Sequence, residues 1–554
     1  MSTSKLKKLA KITEKIVKQI VAENPADELS LMRADRAASR KFKLAPLPKR
    51  QIAQTYDTLV KSGKLKTNSQ LSQLLKVRAV RTLSGVAPVT VLTKYHPCPG
   101  KCVYCPHEPG MPKSYLSNEP AAQRAKALKF DPYKQVQYRL RALIANGHQP
   151  KKIELLVLGG TWSAYPKKYQ NWFIKRCFDG ANEFSSVILN EAKRNEESKS
   201  SRTLAEAQKR NEKAKYKIIG ITLETRPDWI TEKEIKRLRE LGCTRVQLGA
   251  QILDDKILKL IKRGHTVADL ARATKLLKDA CFKIDYHIMP NLPGSTPAKD
   301  VKTVEQIFSD ERFKPDQIKI YPTIVNEHAP LYQWYKQGKY KPYSYAKLVD
   351  LMIKLKTTVP YYCRINRLIR DVPAESIVAG NKITNLRQLL ARPVADLGGC
   401  KCIRCREVRN QKSKIKNLKS EIKLVIDKYP ASGGTEYFIS FESPKRDILY
   451  AFIRLRIPRK DATNRVSTET IFPELKNAGL IRELHTYGAL QAVGTKSQGI
   501  QHKGLGKKLM AEAEKIIKKN KLQKTAVISG VGVRGYYRKL GYKLEGTYMI
   551  KRLK

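Results

Sequence analysis

The chain has 554 residues, enough for several domains that each close around their own core. Its 41% apolar content excludes a disordered chain, and the absence of an uncharged apolar run of about 18 residues argues against a membrane span. The charge is far from ordinary: 109 Lys and Arg against 50 Asp and Glu leave a formal +59, a surface suited to a polyanion and above all to nucleic acid.

Residues 1–84 are predicted to be a basic helical region that binds RNA. Leu9, Ile12, Ile16 and Ile20 fall at helical spacing with lysines between them, so the first helix is amphipathic and basic. It lacks the continuous apolar core and small-residue cleavage site of a secretion signal. Over residues 85–395, short apolar runs bounded by Gly or Pro alternate with helix-periodic stretches. The runs are Ile153–Leu158, Ile218–Leu223, Arg245–Leu248, Ile284–Ile288 and Ile318–Tyr321; helices are expected over Glu232–Leu241 and Val267–Cys281. Strands alternating with helices predict βα units and a parallel sheet, closed as a partial or complete βα-barrel. The charged stretch Ala192–Lys215 reads as an exposed helix with a solvated face. Residues 396–425 read as a Lys-rich linker, and 426–554 as a second α/β domain. Its expected elements are the strands Glu436–Glu442, Leu449–Ile457, Leu480–Val493 and Thr525–Ser529 and the helix Gly504–Asn520.

Six of the 10 cysteines sit in two tight clusters, which points to metal rather than disulfides and to a reducing cytoplasm. Cys98-Pro-Gly-Lys-Cys102-Val-Tyr-Cys105 follows the strand-like Pro88–Thr93. Three thiolates at this spacing hold three irons of a 4Fe–4S cluster and leave the fourth iron open, where S-adenosylmethionine (SAM) can chelate. A zinc site is the alternative, and it would need His96 or His107 as its fourth ligand. Gly159 and Gly160 end a strand where backbone can approach the methionine part of SAM. Glu224 and Arg226 stand at the end of another strand, and Gln247 and Gln251 are expected at the end of a third, the face on which barrel sites lie.

In the C-terminal part, Gln501-His502-Lys503-Gly504-Leu505-Gly506 opens a helix. Such a turn presents backbone N–H groups and a positive dipole end to a pyrophosphate. With the Tyr-containing Gly535–Tyr542 segment it looks like a Gcn5-related acetyltransferase fold. The second cluster, Cys400, Cys402 and Cys405, supplies three ligands for a structural zinc site whose fourth ligand comes from elsewhere; a second iron–sulfur cluster is the alternative.

These motifs, in this order, resemble the Elongator protein 3 family over essentially the whole chain. The resemblance rests on Cys98–Cys105, Ser114–Ala125 with Asp131-Pro132-Tyr133, Gly159-Gly160-Thr161-Trp162, Ile221–Asp228, Met289–Gly294, Cys402–Val408, Arg482–His485, Gln501–Gly506 and Ile528–Gly541. It implies a radical SAM partial barrel followed by an acetyl-CoA-binding module. It also implies an acyltransferase that builds carboxymethyluridine at the wobble position of the tRNA anticodon stem-loop. By matching position, Glu483, Leu484, His485, Thr486, Leu505, Gly506, Lys507 and Tyr537 would contact acetyl-CoA. Lys152 would reach the same ligand from the radical domain, and Tyr536 would position the thioester or the hydrolytic water. Only three residues separate Cys98 from Cys102, fewer than in eukaryotic members and as in bacterial and archaeal ones. The resemblance therefore implies a protein that works without other Elongator subunits, and it is compatible with a homodimer. A protein acetyltransferase with a structural iron–sulfur domain, and a non-catalytic RNA scaffold, are the competing readings.

If about six or more Lys and Arg contacts neutralise tRNA phosphates, raising salt from about 50 to 200 mM weakens tRNA binding on the order of a thousandfold. A filter-binding titration across that range checks it, and a flat response contradicts it.

Overall fold

The computed structural model describes residues 3–76, 85–184, 201–383, 385–408, 422–458, 471–487 and 504–553. The chain opens with four helices, α1 (Thr3–Ala22), α2 (Glu28–Lys41), α3 (Lys49–Lys61) and α4 (Ser69–Leu74). Ile16, Val17 and Ile20 of α1 turn inward against Leu31, Ile52, Tyr56 and Leu59, giving this region a core of its own. A capping box between Asp27 and Ser30 starts α2 and satisfies donors that the first turn leaves unpaired. Lys8, Lys11, Lys15 and Lys18 stay exposed on the opposite side of α1. The first helix therefore both packs and presents cations.

The central sheet has seven parallel strands in sequence order. They are β1 (Ala87–Leu92), β2 (Lys152–Leu158), β3 (Lys217–Thr225), β4 (Arg245–Gln251), β5 (Lys283–Ile288), β6 (Gln317–Ile320) and β7 (Arg364–Arg367). Among the described residues β1 and β7 do not pair, so the barrel is partial. Helices return along the outside between strands, and every position of β4 is buried, as expected of a parallel strand covered on both faces. Strand β7 reads Arg-Ile-Asn-Arg and has no apolar run to announce it.

A second sheet of seven strands follows: β8 (Lys423–Ala431), β9 (Gly434–Glu442), β10 (Leu449–Ile457), β11 (Ala478–Thr486), β12 (Lys524–Val527), β13 (Lys543–Glu545) and β14 (Tyr548–Arg552). Its order is β13-β14-β12-β11-β10-β9-β8. Only β11 and β12 run parallel, joined through the helix Leu505–Lys519. This is the acetyltransferase-like α/β unit expected from the sequence, with two adjustments, and one expectation in the central region changes as well. Strand β8 begins at Lys423, inside the span read as linker. Strand β11 ends at Thr486, and the remainder of the expected Leu480–Val493 strand beyond 487 lies outside the described residues. The stretch Ala192–Lys215 holds a helix only over Leu204–Lys213, its start lies outside the described residues, and it is not a free solvated helix. Asn211 is buried and bonds to Ile218 N at 2.7 Å, tying the helix to β3.

The two sheets share one continuous hydrophobic core. At its polar centre, Arg482 of β11 forks onto Asp316, which precedes β6, at 2.5 and 2.7 Å. The same guanidinium reaches Glu436 of β9 at 2.9 and 3.1 Å. Arg454 lies 3.5 Å from Asp316, and Arg456 binds Asp279 at 2.5 Å and Glu436 at 3.1 Å. Burial alone would raise the Asp316 pKa, but Arg482 and Arg454 hold it far below the usual carboxylate range. Gly530 sits directly on the carbonyl of Ile219 in β3, where a Cβ would collide.

Asp316→Asn leaves Arg482 and Arg454 with an uncompensated buried charge and lowers stability by about 3–5 kcal/mol in a denaturant titration. Because the folded-state pKa is depressed, the wild-type contribution is complete above the unfolded value of about 3.9 and fades as pH falls below it. The variant loses that acid dependence.

Candidate active site

Strand β1 carries the chain to the C-terminal mouth of the partial barrel, where the loop with the first three cysteines turns. Gly100 N donates to Cys98 Sγ at 3.4 Å, and Thr161 Oγ1 lies 3.7 Å from the same sulfur. A Cβ on Gly100 would stand 3.5 Å from Cys98 Sγ, 3.6 Å from Cys102 Sγ and 3.1 Å from the Arg226 guanidinium, so glycine lets these groups converge. Arg226 is clamped by Asp228 at 2.8 and 2.9 Å and by Gly264 O at 2.9 Å, which places it as a buttress of the cysteine loop. Arg263 Nη1 comes within 3.6 Å of Cys102 Sγ. Burial first, and next the nearby Cys102, push the Cys105 thiol up to about 12, a penalty that a bound cationic centre would relieve.

Among the described residues only Cys400, Cys402 and Cys405 bring three metal-ligating atoms within 4.8 Å of one another. One tetrahedral zinc ion, with Zn–S bonds of ~2.3 Å, places its sulfurs ~3.8 Å apart. The second cluster fits such an ion. The first three sulfurs are spread more widely, as separate irons of a cluster require. Among the described residues neither His96 nor His107 brings a ring nitrogen into a group with two of these sulfurs whose atoms all lie within 4.8 Å of one another, as a zinc site would need.

Gly159 and Gly160 end β2 with φ of +145° and +91°, and a Cβ on Gly159 would collide with Thr93 Oγ1. The turn after β2 is thus close-approach backbone, with Thr93 against Gly159, and with Gly160 on the cavity wall. Glu224, next to last in β3, accepts a hydrogen bond from Tyr115 OH at 3.1 Å, and its other oxygen is 3.3 Å from His287 Nδ1. Gln247 is not at a strand end; it lies within β4, donating to Asp285 at 3.2 Å and accepting from Lys319 Nζ at 2.8 Å. Gln251 does end β4, with φ of +66° and an Oε1 that has no hydrogen-bond partner among the described residues. The barrel interior is therefore polar, not filled with apolar layers.

At the opposite mouth, Lys152 is the first residue of β2. Gly504 caps the helix Leu505–Lys519 in the left-handed region at φ +71°. A Cβ on Gly506 would stand 3.1 Å from Tyr536 Oη. Leu505 and Tyr537 are buried, whereas Lys507 is exposed and Tyr536 is 38% exposed. Burial would raise the Glu483 pKa, but Lys283, Arg454 and Arg245 bring it down to about 2, so it is a fixed carboxylate and no proton acceptor. His485 stacks on Phe452 with ring centres 5.9 Å apart. Gln501 lies outside the described residues.

One cavity of about 2300 Å³ connects both regions. Cys98, Cys102, Gly160 and Glu224 line it at the cysteine mouth, and Gln247, Lys319 and Lys283 line it inside the barrel. Glu483, Leu484, His485, Thr486, Gly506, Lys507, Tyr536 and Tyr537 line it at the second sheet. The second cysteine cluster stands to the side, where Ile403 N bonds Cys363 O at 3.0 Å and Arg406 reaches Glu442 of β9 at 2.9 Å.

The chain is 44% identical to the tRNA uridine(34) acetyltransferase of Methanocaldococcus infernus, over 87% of this chain and 88% of the relative. The chain belongs to the Elongator protein 3 family. It is 37% identical to the human Elongator complex protein 3 over 87% of this chain and 86% of that protein. The solved structure of the archaeal Methanocaldococcus infernus Elp3 with an N-terminal deletion superposes with a TM-score of 0.71 at 41% identity, covering 85% of this chain and all 100% of that one. The radical SAM superfamily model matches residues 93–307, and the radical SAM C-terminal domain model matches residues 315–394. In this family member the structure gathers the motif residues it describes along one cavity, Arg226 included, except Gly159, Leu505 and the second cysteine cluster. Sequence reasoning missed Arg263, His287 and Lys319, which carry no motif of their own, and it used Ser114–Ala125 without singling out Tyr115. The only available signal was their position near strand ends or inside a parallel sheet, where a charged residue is out of place. Among the described residues no helix is long and apolar enough to cross a membrane.

Proposed function

We propose that the chain is a radical SAM acyltransferase that uses acetyl-CoA to install a carboxymethyl group at carbon 5 of the wobble uridine of tRNA. The observation that carries this reading is the single cavity joining the cysteine mouth to the acetyltransferase-like cradle. When bound, a 4Fe–4S cluster on Cys98, Cys102 and Cys105 together with SAM supplies a 5′-deoxyadenosyl radical able to take hydrogen from the acetyl methyl.

The chain's own residues hold the parts in place. Gly160 on the cavity wall, with Gly159 packed on Thr93 beside it, lets the backbone approach SAM, while Arg263 and the braced Arg226 offset negative charge beside the thiolates. Glu224 and Gln247 line the path that the cofactor and the acyl group share. At the far mouth, the N–H groups after Gly504 face the pyrophosphate of acetyl-CoA, and the Gln501 of the sequence motif joins them in this reading. Lys507 and Lys152 add charge, and Tyr536 and Tyr537 flank the arm. Leu484, His485 and Thr486 offer the β11 edge, and Leu505 packs beneath. The acyl end is directed into the barrel and away from water, which protects a carbon radical from side reactions.

The division into a tRNA-binding region at 1–84, a radical SAM domain at 85–395, a cysteine linker at 396–425 and an acetyl-CoA domain at 426–554 belongs to the same proposal. So do zinc on Cys400, Cys402 and Cys405, a cytoplasmic location and independence from other Elongator subunits. The relatives named tRNA uridine(34) acetyltransferase support tRNA as the substrate, as does the formal charge of +59.

The test is an anaerobic reaction of reconstituted, reduced protein with SAM, acetyl-CoA and bulk tRNA, followed by nucleoside mass spectrometry. Carboxymethyluridine and 5′-deoxyadenosine form together, and Cys102→Ser abolishes both while tRNA binding persists. Neither product from cluster-loaded protein would favour the acetyltransferase or scaffold readings.

A further inference from the structure

His287 occupies the next-to-last position of β5, on the cavity wall at the cysteine mouth. Its side chain is 10% exposed, Nδ1 lies 3.3 Å from Glu224 Oε1, and Nε2 has no hydrogen-bond partner among the described residues. Tyr115 OH fixes the other Glu224 oxygen at 3.1 Å. A carboxylate held this way keeps the proton on Nδ1 and leaves Nε2 as the unused acceptor of a ring that lines the cavity, the arrangement of an oriented imidazole base. Burial first, and then the cations Lys319, Arg263, Arg370 and Arg367, push the His287 pKa well below its ordinary value, so the ring stays neutral. A neutral buried imidazole with one nitrogen oriented and the other unused is costly unless something meets it.

Resting on the proposed carboxymethyluridine synthesis, we infer that His287 is the general base that hydrolyses the thioester of the uridine adduct, with Glu224 as its orienting partner. Position decides this. Strand β2 has seven residues, so at ~3.3 Å per residue the two mouths of the barrel are separated by about 20 Å. Once the acetyl carbon is joined to uridine at the cysteine mouth, its thioester carbonyl is one bond away at that same mouth. Tyr536 stands at the other. At His287, water loses a proton to Nε2 as its oxygen bonds to the carbonyl carbon. The C–S bond then breaks, and Nε2–H returns the proton to the departing coenzyme A sulfur. The products are a carboxylic acid, which ionises to solvent, and free coenzyme A thiol; no oxidant or reductant is consumed.

The experiment is a single-turnover anaerobic reaction of full-length His287→Gln with SAM, acetyl-CoA and tRNA, analysed by intact-tRNA mass spectrometry. The variant makes about one deoxyadenosine per uridine adduct that still carries coenzyme A as its thioester, and release of free coenzyme A slows by about 10²-fold or more. Carboxymethyluridine at the wild-type rate, or deoxyadenosine and carboxymethyluridine falling in step with no adduct, overturns the proposal. Wild-type protein that forms no uridine adduct of any kind overturns the proposed function and this inference together, an outcome distinct from either of those. Independently of turnover, ¹⁵N spectra of histidine-labelled protein are expected to show one neutral Nδ1–H imidazole near pH 7 whose tautomer is lost in Glu224→Gln. A proton on Nε2 in the wild type overturns the assignment.

Discussion

The guanidinium of Arg482 sits between two carboxylates that belong to different sheets, Asp316 of the partial barrel and Glu436 of the second domain, all three buried. Charges taken out of water are costly, and the cost is met only when geometry is good and every lone pair is engaged. Here one Arg bridges both acids, Arg454 joins Asp316 to Glu483, and Arg456 joins Glu436 to Asp279. The network is directional in a way that apolar packing is not. It fixes how the end of β11 meets the open end of the barrel, and with it whether the cavity is continuous. Gly530 against Ile219 O allows no slack at the same junction.

That junction explains why the barrel interior is polar. A barrel filled with apolar side chains would be more stable but would have no passage through it. Instead Gln247 is held by Asp285 and Lys319 across adjacent strands, and Gln247 and Lys319 line a path while leaving it open. The cations are concentrated at the cysteine mouth, where Arg263 and Arg226 stand beside the sulfurs. Glu483 illustrates the consequence at the other end. Its cationic neighbours keep it ionised, so it serves the junction as an anchor and cannot serve chemistry as a base.

Much of this was legible in the sequence, for identifiable reasons. The βα alternation and the spacing of Cys98, Cys102 and Cys105 are local patterns, and the parallel sheet and the cysteine loop at its mouth follow from them. Strand β7 was hidden because Arg-Ile-Asn-Arg has no hydrophobic run, and β8 because its outward lysines resemble a linker. Leu204–Lys213 looked solvated because its charges find partners far along the chain: Glu212 pairs with Arg534 at 3.1 Å and Arg538 at 2.5 Å, on either side of Tyr536 and Tyr537. Gln247 was placed at a strand end because the period-2 signal fades in a strand buried on both faces. His287 and Lys319 could not be singled out, since only the closing of the sheet brings them to the cavity wall.

The central claim is that the acyl group of acetyl-CoA reaches through the barrel to the cysteine mouth. It is tested most directly by electron–nuclear double resonance on the reduced, cluster-loaded protein with SAM and a non-cleavable acetyl-CoA thioether analogue carrying a ¹³C methyl. The account predicts a resolved hyperfine coupling between the methyl carbon and the cluster. It also predicts that the coupling disappears when the analogue is shortened so that its acyl end stays beside Tyr536. A full-length analogue bound to the protein with no coupling to the cluster would contradict the account.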